Sequence, residues 1–179
     1  KGHTDVVGAV EFSAFDPLRI ASVSDDKTAR LWDLTTGTEV STLGSHADYV
    51  RCVAESPSGQ GNVWTTGSYD HTVKLWDARE KKCTMTLNHG DDPVQSVVHL
   101  SGSVVASAGG TTVKIWDLAM LREEKLAHRL ENHQKAVTRV VLSESKKRLL
   151  TSSIDGHVKV FDTSSYNVLH ALTFGLERR

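Results

Sequence analysis

The chain has 179 residues, 39% hydrophobic and 24% charged, with a formal net charge of −1. That balance suits a globular chain and excludes binding driven by a strongly basic surface, so any RNA or DNA contact has to be local. Three prolines exclude a Pro-rich linker, and the two isolated cysteines, Cys52 and Cys83, form neither a CxxC motif nor a disulfide framework, which fits a reducing compartment.

No apolar run approaches the ~18 residues of a membrane helix, and no signal peptide opens the chain. Lys1-Gly2-His3 reads as the middle of a structural unit, which predicts that more sequence precedes it. In chain order, short runs alternating with period two and bounded by Gly, Ser, Asp and Asn predict strands. The first four fall at 6–13, 19–24, 29–33 and 39–43, and the next four at 49–55, 62–67, 72–77 and 82–87. A third set falls at 94–100, 103–107, 112–117 and 126–130, and a fourth at 136–143, 148–152, 157–162 and 167–172. Asp16-Pro17, Ser56-Pro57-Ser58-Gly59 and Ser101-Gly102 supply tight reversals after the first strand of a set. Residues 118–127 predict a longer loop or an extended fourth strand.

The sets are copies of one unit. Aromatics close the third strands at Trp32, Trp76, Trp116 and Phe161, in steps of 44, 40 and 45 residues. Histidines precede them at His3, His46, His89 and His133, in steps of 43, 43 and 44. Two residue types holding one period of roughly 40–45 residues predict the blades of a propeller. The fold class is all-β, with four blades of four antiparallel strands at about 3–43, 46–87, 89–130 and 133–172. Four such blades are expected to leave an open crescent, a segment of a larger propeller.

The repeated residues have a physical logic. A four-stranded sheet cannot bury both faces alone, so it stacks on its neighbours, and an indole fills the gap. Burying ~150–250 Å² of indole is worth about 4–6 kcal/mol as an upper bound. Its N–H still needs an acceptor. His3, Ser22 and Asp26 can satisfy Trp32, and His46, Thr66 and Asp70 can satisfy Trp76, as a connected buried network. In the third unit Gly110 replaces the Asp and the segment is one residue shorter, so His89, Ser107 and Trp116 lack their carboxylate. In the fourth, His133, Thr151 and Asp155 remain while Phe161 removes the N–H, making part of the network unnecessary.

Gly2-His3 and Trp32-Asp33, with the His, Ser/Thr, Asp and Trp set between them, resemble the WD-repeat (WD40) family. The resemblance covers the whole chain and implies a β-propeller, commonly of seven blades, serving as a rigid scaffold for protein partners. Within the family, His46-Ala47-Asp48-Tyr49-Val50-Arg51-Cys52, Thr66-Gly67-Ser68-Tyr69-Asp70, Ser107-Ala108-Gly109-Gly110 and Ser164-Ser165-Tyr166 are similar to a component of the small-subunit processome. This closer similarity covers most of residues 40–170. It implies a nucleolar role in pre-ribosomal RNA processing, with other processome proteins as partners and contact with pre-rRNA or U3 small nucleolar RNA inside the complex.

Catalysis is not expected. The recurring Ser, His and Asp trio reads as packing, nothing resembles a nucleophile elbow, and Asp25-Asp26 is a turn. The nine histidines lack metal-ligand spacing, so no metal, cofactor, small-molecule substrate or membrane contact is expected. Tyr49, Arg51 and Tyr69, with Asp25, form the expected partner surface, because Tyr and Arg anchor interfaces and these positions need not pack. Lys146-Lys147-Arg148 and Arg79-Glu80-Lys81-Lys82 read as solvated turns. Trp76-Asp77-Ala78-Arg79 also resembles the WDxR box of substrate receptors for cullin-RING ubiquitin ligases, making Arg79 the residue that discriminates this alternative. A signalling scaffold of the G-protein-β type is the other alternative.

Overall fold

Alternating apolar residues, many of them β-branched, form sixteen strands in the computed structural model, which describes residues 2–121 and 125–173. The first sheet holds β1 (Val7–Phe12), β2 (Arg19–Ser24), β3 (Thr28–Asp33) and β4 (Thr38–Ser45). The second holds β5 (Val50–Glu55), β6 (Val63–Ser68), β7 (Thr72–Asp77) and β8 (Lys82–Asn88). The third holds β9 (Val94–His99), β10 (Val104–Gly109), β11 (Thr112–Asp117) and β12 (Leu126–Leu130). The fourth holds β13 (Val137–Leu142), β14 (Arg148–Ser153), β15 (His157–Asp162) and β16 (Val168–Thr173). Each sheet is an antiparallel meander in sequence order. The fold class is therefore the expected one, with strand ends displaced by at most two residues. β4 runs on to Ser45 because Thr28 still pairs with it, and Tyr49 lies just outside the ladder of β5. Of the 118–127 segment, 122–124 lie outside the described residues.

The first strands β1, β5, β9 and β13 are successive neighbours. They border a cavity of about 440 Å³. The second strands carry the most continuous burial, as in β6 and β10, whereas β16 is exposed along its length. Apolar burial is concentrated between blades. Ala21, Val23, Leu31 and Leu43 of the first blade pack with Val50, Val53, Trp64 and Trp76 of the second. Cys52, Val73, Leu75 and Leu87 pack with Val94, Val97, Val105 and Trp116. Ala106, Val113, Ile115 and Leu130 pack with Val137, Val140, Leu149 and Phe161. Each closing aromatic thus fills the space toward the blade before it. Trp32 has no blade before it among the described residues and is only half-buried.

The fourth tryptophan, Trp64, is fully buried in the first of these interfaces and donates its N–H to the Gly61 carbonyl at 3.0 Å. Opposite the repeat networks, Glu55 ties the first two blades by accepting from Ser13 Oγ at 2.7 Å and the Ala14 amide at 2.6 Å.

Candidate functional site

The repeat residues meet as chains of hydrogen bonds. In the second blade the Trp76 indole donates to Thr66 Oγ1 at 2.8 Å, and Thr66 lies 2.7 Å from His46 Nε2. His46 Nδ1 lies 2.8 Å from Asp70 Oδ2. A carboxylate only accepts, so Nδ1 carries the hydrogen and Nε2 accepts from the Thr66 hydroxyl. The Ala47 amide also donates to Asp70 at 2.9 Å, and the Thr72 hydroxyl does so at 2.6 Å. The first blade repeats this with Trp32, Ser22, His3 and Asp26 at 2.7, 2.7 and 2.8 Å.

The turns explain why the Asp stands where it does. Lys27 and His71 adopt φ of 71° and 67°, and their amides bond the carbonyls of Ser24 and Ser68. This is a three-residue hairpin loop with its last residue left-handed. It presents the middle Asp toward the histidine of the loop before the first strand. The third blade differs: β10 and β11 are joined by two residues, with Gly110 at φ 53° opening the loop. A side chain at Gly110 would collide with the Asp92 carboxylate, 2.1 Å from an ideal Cβ. Trp116 still donates to Ser107 Oγ at 2.7 Å, and Ser107 meets His89, but at Nδ1 and 2.9 Å. His89, a residue only 3% exposed, has no hydrogen-bond partner for Nε2 among the described residues.

The fourth blade keeps its histidine, threonine and aspartate without an indole. His133 Nδ1 lies 2.9 Å from Asp155 Oδ2, and Nε2 lies 2.7 Å from Thr151 Oγ1. Only the indole donor is gone, because the imidazole and the carboxylate still need each other once buried.

Burial opposes ionisation of Asp70, yet hydrogen bonds from Thr72, Ala47 and His46 outweigh it and hold its pKa at about 2. Asp26 and Asp155 are likewise held well below the usual carboxylate range. Burial lowers His46, with Asp70 opposing the shift. Burial and the nearby Lys114 ammonium push His89 down to about 4.

The expected surface residues are positioned by a second repeated device. At the start of each first strand the pairing slips by one residue, leaving Gly8, Arg51, Gln95 and Thr138 as the extra residue. A bulge re-aims its side chain, and all four border the central cavity. Arg51 lies against both tyrosines, its guanidinium 5.5 Å from the Tyr49 ring centre and 4.9 Å from that of Tyr69. The two rings lie 6.1 Å apart. Arg51 Nη1 reaches Asp25 Oδ1 at 3.3 Å as an ion pair, while Arg51 Nε and Asp25 Oδ1 make no hydrogen bond among the described residues. The neighbouring bulge residue, Gly8, packs closely on this strand: a Cβ there would stand 3.1 Å from the Val50 carbonyl and in ordinary contact, 3.8 Å, with Arg51 Cδ. Gln95 donates to the Tyr69 hydroxyl at 3.2 Å. Tyr49, Arg51, Tyr69 and Asp25 thus lie together, with Tyr49 40% exposed.

The model of the WD domain, G-beta repeat, matches residues 1–33, 37–77, 81–117 and 124–162. The chain belongs to the WD-repeat family. Relatives named U3 small nucleolar RNA-associated protein 15 homolog include one from Xenopus tropicalis, 45% identical over 97% of this chain and 33% of the relative. The one from Homo sapiens is 44% identical over 72% of this chain and 24% of its own length. U3 small nucleolar RNA-associated protein 15 of Saccharomyces cerevisiae is 38% identical over 85% of this chain and 30% of its own length. The chain spans about a third of the length of the first relatives it matches.

In this WD-repeat chain Arg79 stands apart from the other surface residues. It lies in the turn between β7 and β8, at the opposite end of the blade from Tyr49, Arg51 and Tyr69. Its side chain is 70% exposed and folds onto Asp77 at 3.1 Å. Sequence reasoning did not find Gln95, Gly8 or Asp92. The bulge position, one residue after the valine that opens each first strand, is the signal that locates the first two. Nothing local marks Asp92, whose place depends on a glycine eighteen residues away.

Proposed function

We propose that this WD-repeat chain is a non-catalytic scaffold of the small-subunit processome, acting in pre-ribosomal RNA processing in the nucleolus. The observation that carries the reading is 45% identity, across 97% of the chain, to a relative named for association with U3 small nucleolar RNA. Partners are other processome proteins, and the rim of Tyr49, Arg51, Tyr69 and Asp25 is the docking surface. The packing of the recurring trio supports the non-catalytic reading. Each Ser or Thr of the recurring trio sits between a histidine and, in three blades, an indole, with its hydroxyl buried. No such hydroxyl is free to attack a substrate.

No observation favours the ubiquitin-ligase or G-protein-β alternatives, and Arg79 is occupied by Asp77. The test is affinity purification of the full-length protein from cells, with mass spectrometry and RNA sequencing of what is bound. Processome proteins with U3 RNA and pre-rRNA are expected. A cullin-RING adaptor recovered without that RNA, and lost with Arg79→Ala, overturns the proposal.

A further inference from the structure

The turn between β1 and β2 differs from its counterparts at two solvent-facing positions. Ser13, Ser56 and Ser143 open this turn in the first, second and fourth blades, each donating its amide to the carbonyl that begins the second strand. Two residues on, the second and fourth blades carry Ser58 and Ser145, both exposed, whose hydroxyls meet those of Ser56 and Ser143 at 3.2 Å. The first blade carries Phe15 there, 46% exposed. Just before the second strand, the other blades have Asn62, Ser103 and Lys147, each accepting the amide that follows the Asp ending the third strand. The first blade has Leu18, bonded in the same way by Leu34 and 55% exposed.

The open end of the chain does not account for Phe15 and Leu18. Phe12 and Leu34 are exposed for that reason: their counterparts Glu55 and Ala78 reach the blade before, which the first blade lacks among the described residues. Phe15 lies toward the second blade, which is present, with an ideal Cβ on Gly61 3.7 Å from Phe15 Cβ. Ser58 and Ser103 sit in blades flanked on both sides and are still exposed, while Asn62 is half-buried.

The turn is also held in one shape. Glu55 of the second blade accepts from the Ser13 hydroxyl and the Ala14 amide. Ser13 Oγ accepts the amides of Phe15 and Asp16 at 3.2 and 3.1 Å, and Asp16 accepts that of Leu18 at 3.0 Å. Pro17 fixes the backbone between them. Two large apolar side chains three residues apart on a preordered turn lose little freedom on binding. An unpaired base would stack on Phe15 but leave Leu18 uncovered, and it would bring phosphate to Asp16, whose ion pair with Arg19 is long, at 3.8 Å. An apolar groove on a protein covers both side chains and brings no such charge. We propose that this turn docks through Phe15 and Leu18 into an apolar groove of a protein partner, at the end of the blades opposite Tyr49. The contact goes beyond the processome reading and does not depend on it.

The test uses the full-length protein in cells, with the photoreactive residue p-benzoylphenylalanine in place of Phe15 and its adducts mapped by mass spectrometry. An adduct on an apolar stretch of another protein is expected, lost when Leu18→Lys brings in the residue type of the fourth blade. The same probe in place of Ser58 should not give it. A synthetic peptide of the mapped stretch should then bind the wild-type protein and weaken about tenfold or more with Phe15→Ser and Leu18→Asn together. These substitutions place residue types that the second blade carries, so thermal unfolding should be unchanged. If the double variant melts early, Leu18→Lys alone, which leaves Phe15 on Gly61, decides by the same peptide binding. An adduct on RNA, on a second copy, within the same chain or on a polar stretch overturns the proposal. So does no adduct, an equal one from position 58, or peptide binding that the variants leave unchanged.

Discussion

The second and third blades carry the same strand plan and differ at one turn. In the second, three residues join β6 to β7, and Asp70 completes a chain from carboxylate to indole. In the third, two residues join β10 to β11, the carboxylate is gone, and His89 is left with a buried, unpartnered nitrogen. Yet Trp116 is as buried as Trp76 and keeps its hydroxyl acceptor. The indole–hydroxyl bond and the packing of the aromatic are thus separable from the carboxylate that ends the chain. The carboxylate chiefly anchors the loop before the first strand, since Asp70 also takes the Ala47 amide.

The largest test of this contrast removes the shared part. Trp76→Ala and Trp116→Ala should each cost ~3–5 kcal/mol in urea denaturation, because each leaves a cavity between blades. If Trp116→Ala is nearly neutral, the third interface does not depend on its indole. Next comes Asp70→Ala, expected to cost ~2–3 kcal/mol by leaving the His46 and Ala47 donors unsatisfied. Asp155→Ala should cost slightly less, since Asp70 has a hydroxyl bond from Thr72 where the fourth blade has His157. Equal costs would remove that ranking.

Restoring the carboxylate to the third blade should not repair it. Gly110→Asp is expected to destabilise by about 1–2 kcal/mol, because its Cβ meets Asp92 in a loop one residue too short. A stabilising effect would show that turn length is not what separates the two blades.

A further effect is in pH. His89 has a folded pKa of about 4 against an ordinary 6.5, so the folded state binds fewer protons than the unfolded chain between these values. Stability should therefore fall as pH drops from 6.5 toward 4, and His89→Asn should flatten that part of the profile. Asp70 works lower: its contribution, present above pH 3.8, is lost as pH falls toward 2, and Asp70→Asn removes that slope. Unchanged slopes in both variants would mean that neither group governs acid stability.

Much of this arrangement was legible in the residues. The period of the aromatics and histidines placed four blades, and the identities His46, Thr66, Asp70 and Trp76 named a network whose members meet at 2.7–2.8 Å. Tyr49, Arg51 and Tyr69 were legible as surface residues because nothing in the repeat requires them to pack. Their mutual arrangement was not. Arg51 is aimed by a bulge, and it pairs with Asp25 of the neighbouring blade. Trp64 lies outside the repeat pattern, so no period announced its burial. The fourth-blade trio of His133, Thr151 and Asp155 was legible too, and it lacks only the indole donor that Phe161 removes.

By itself the sequence determined the blade count, the strand order and the chemistry of each network, because period, turn residues and hydrogen-bonding capacity are properties of neighbouring residues. Only the tertiary structure decided which side chains reach across blades. Those contacts depend on bulges, on a missing Cβ and on the length of one turn, and each acts between residues that local pattern does not connect.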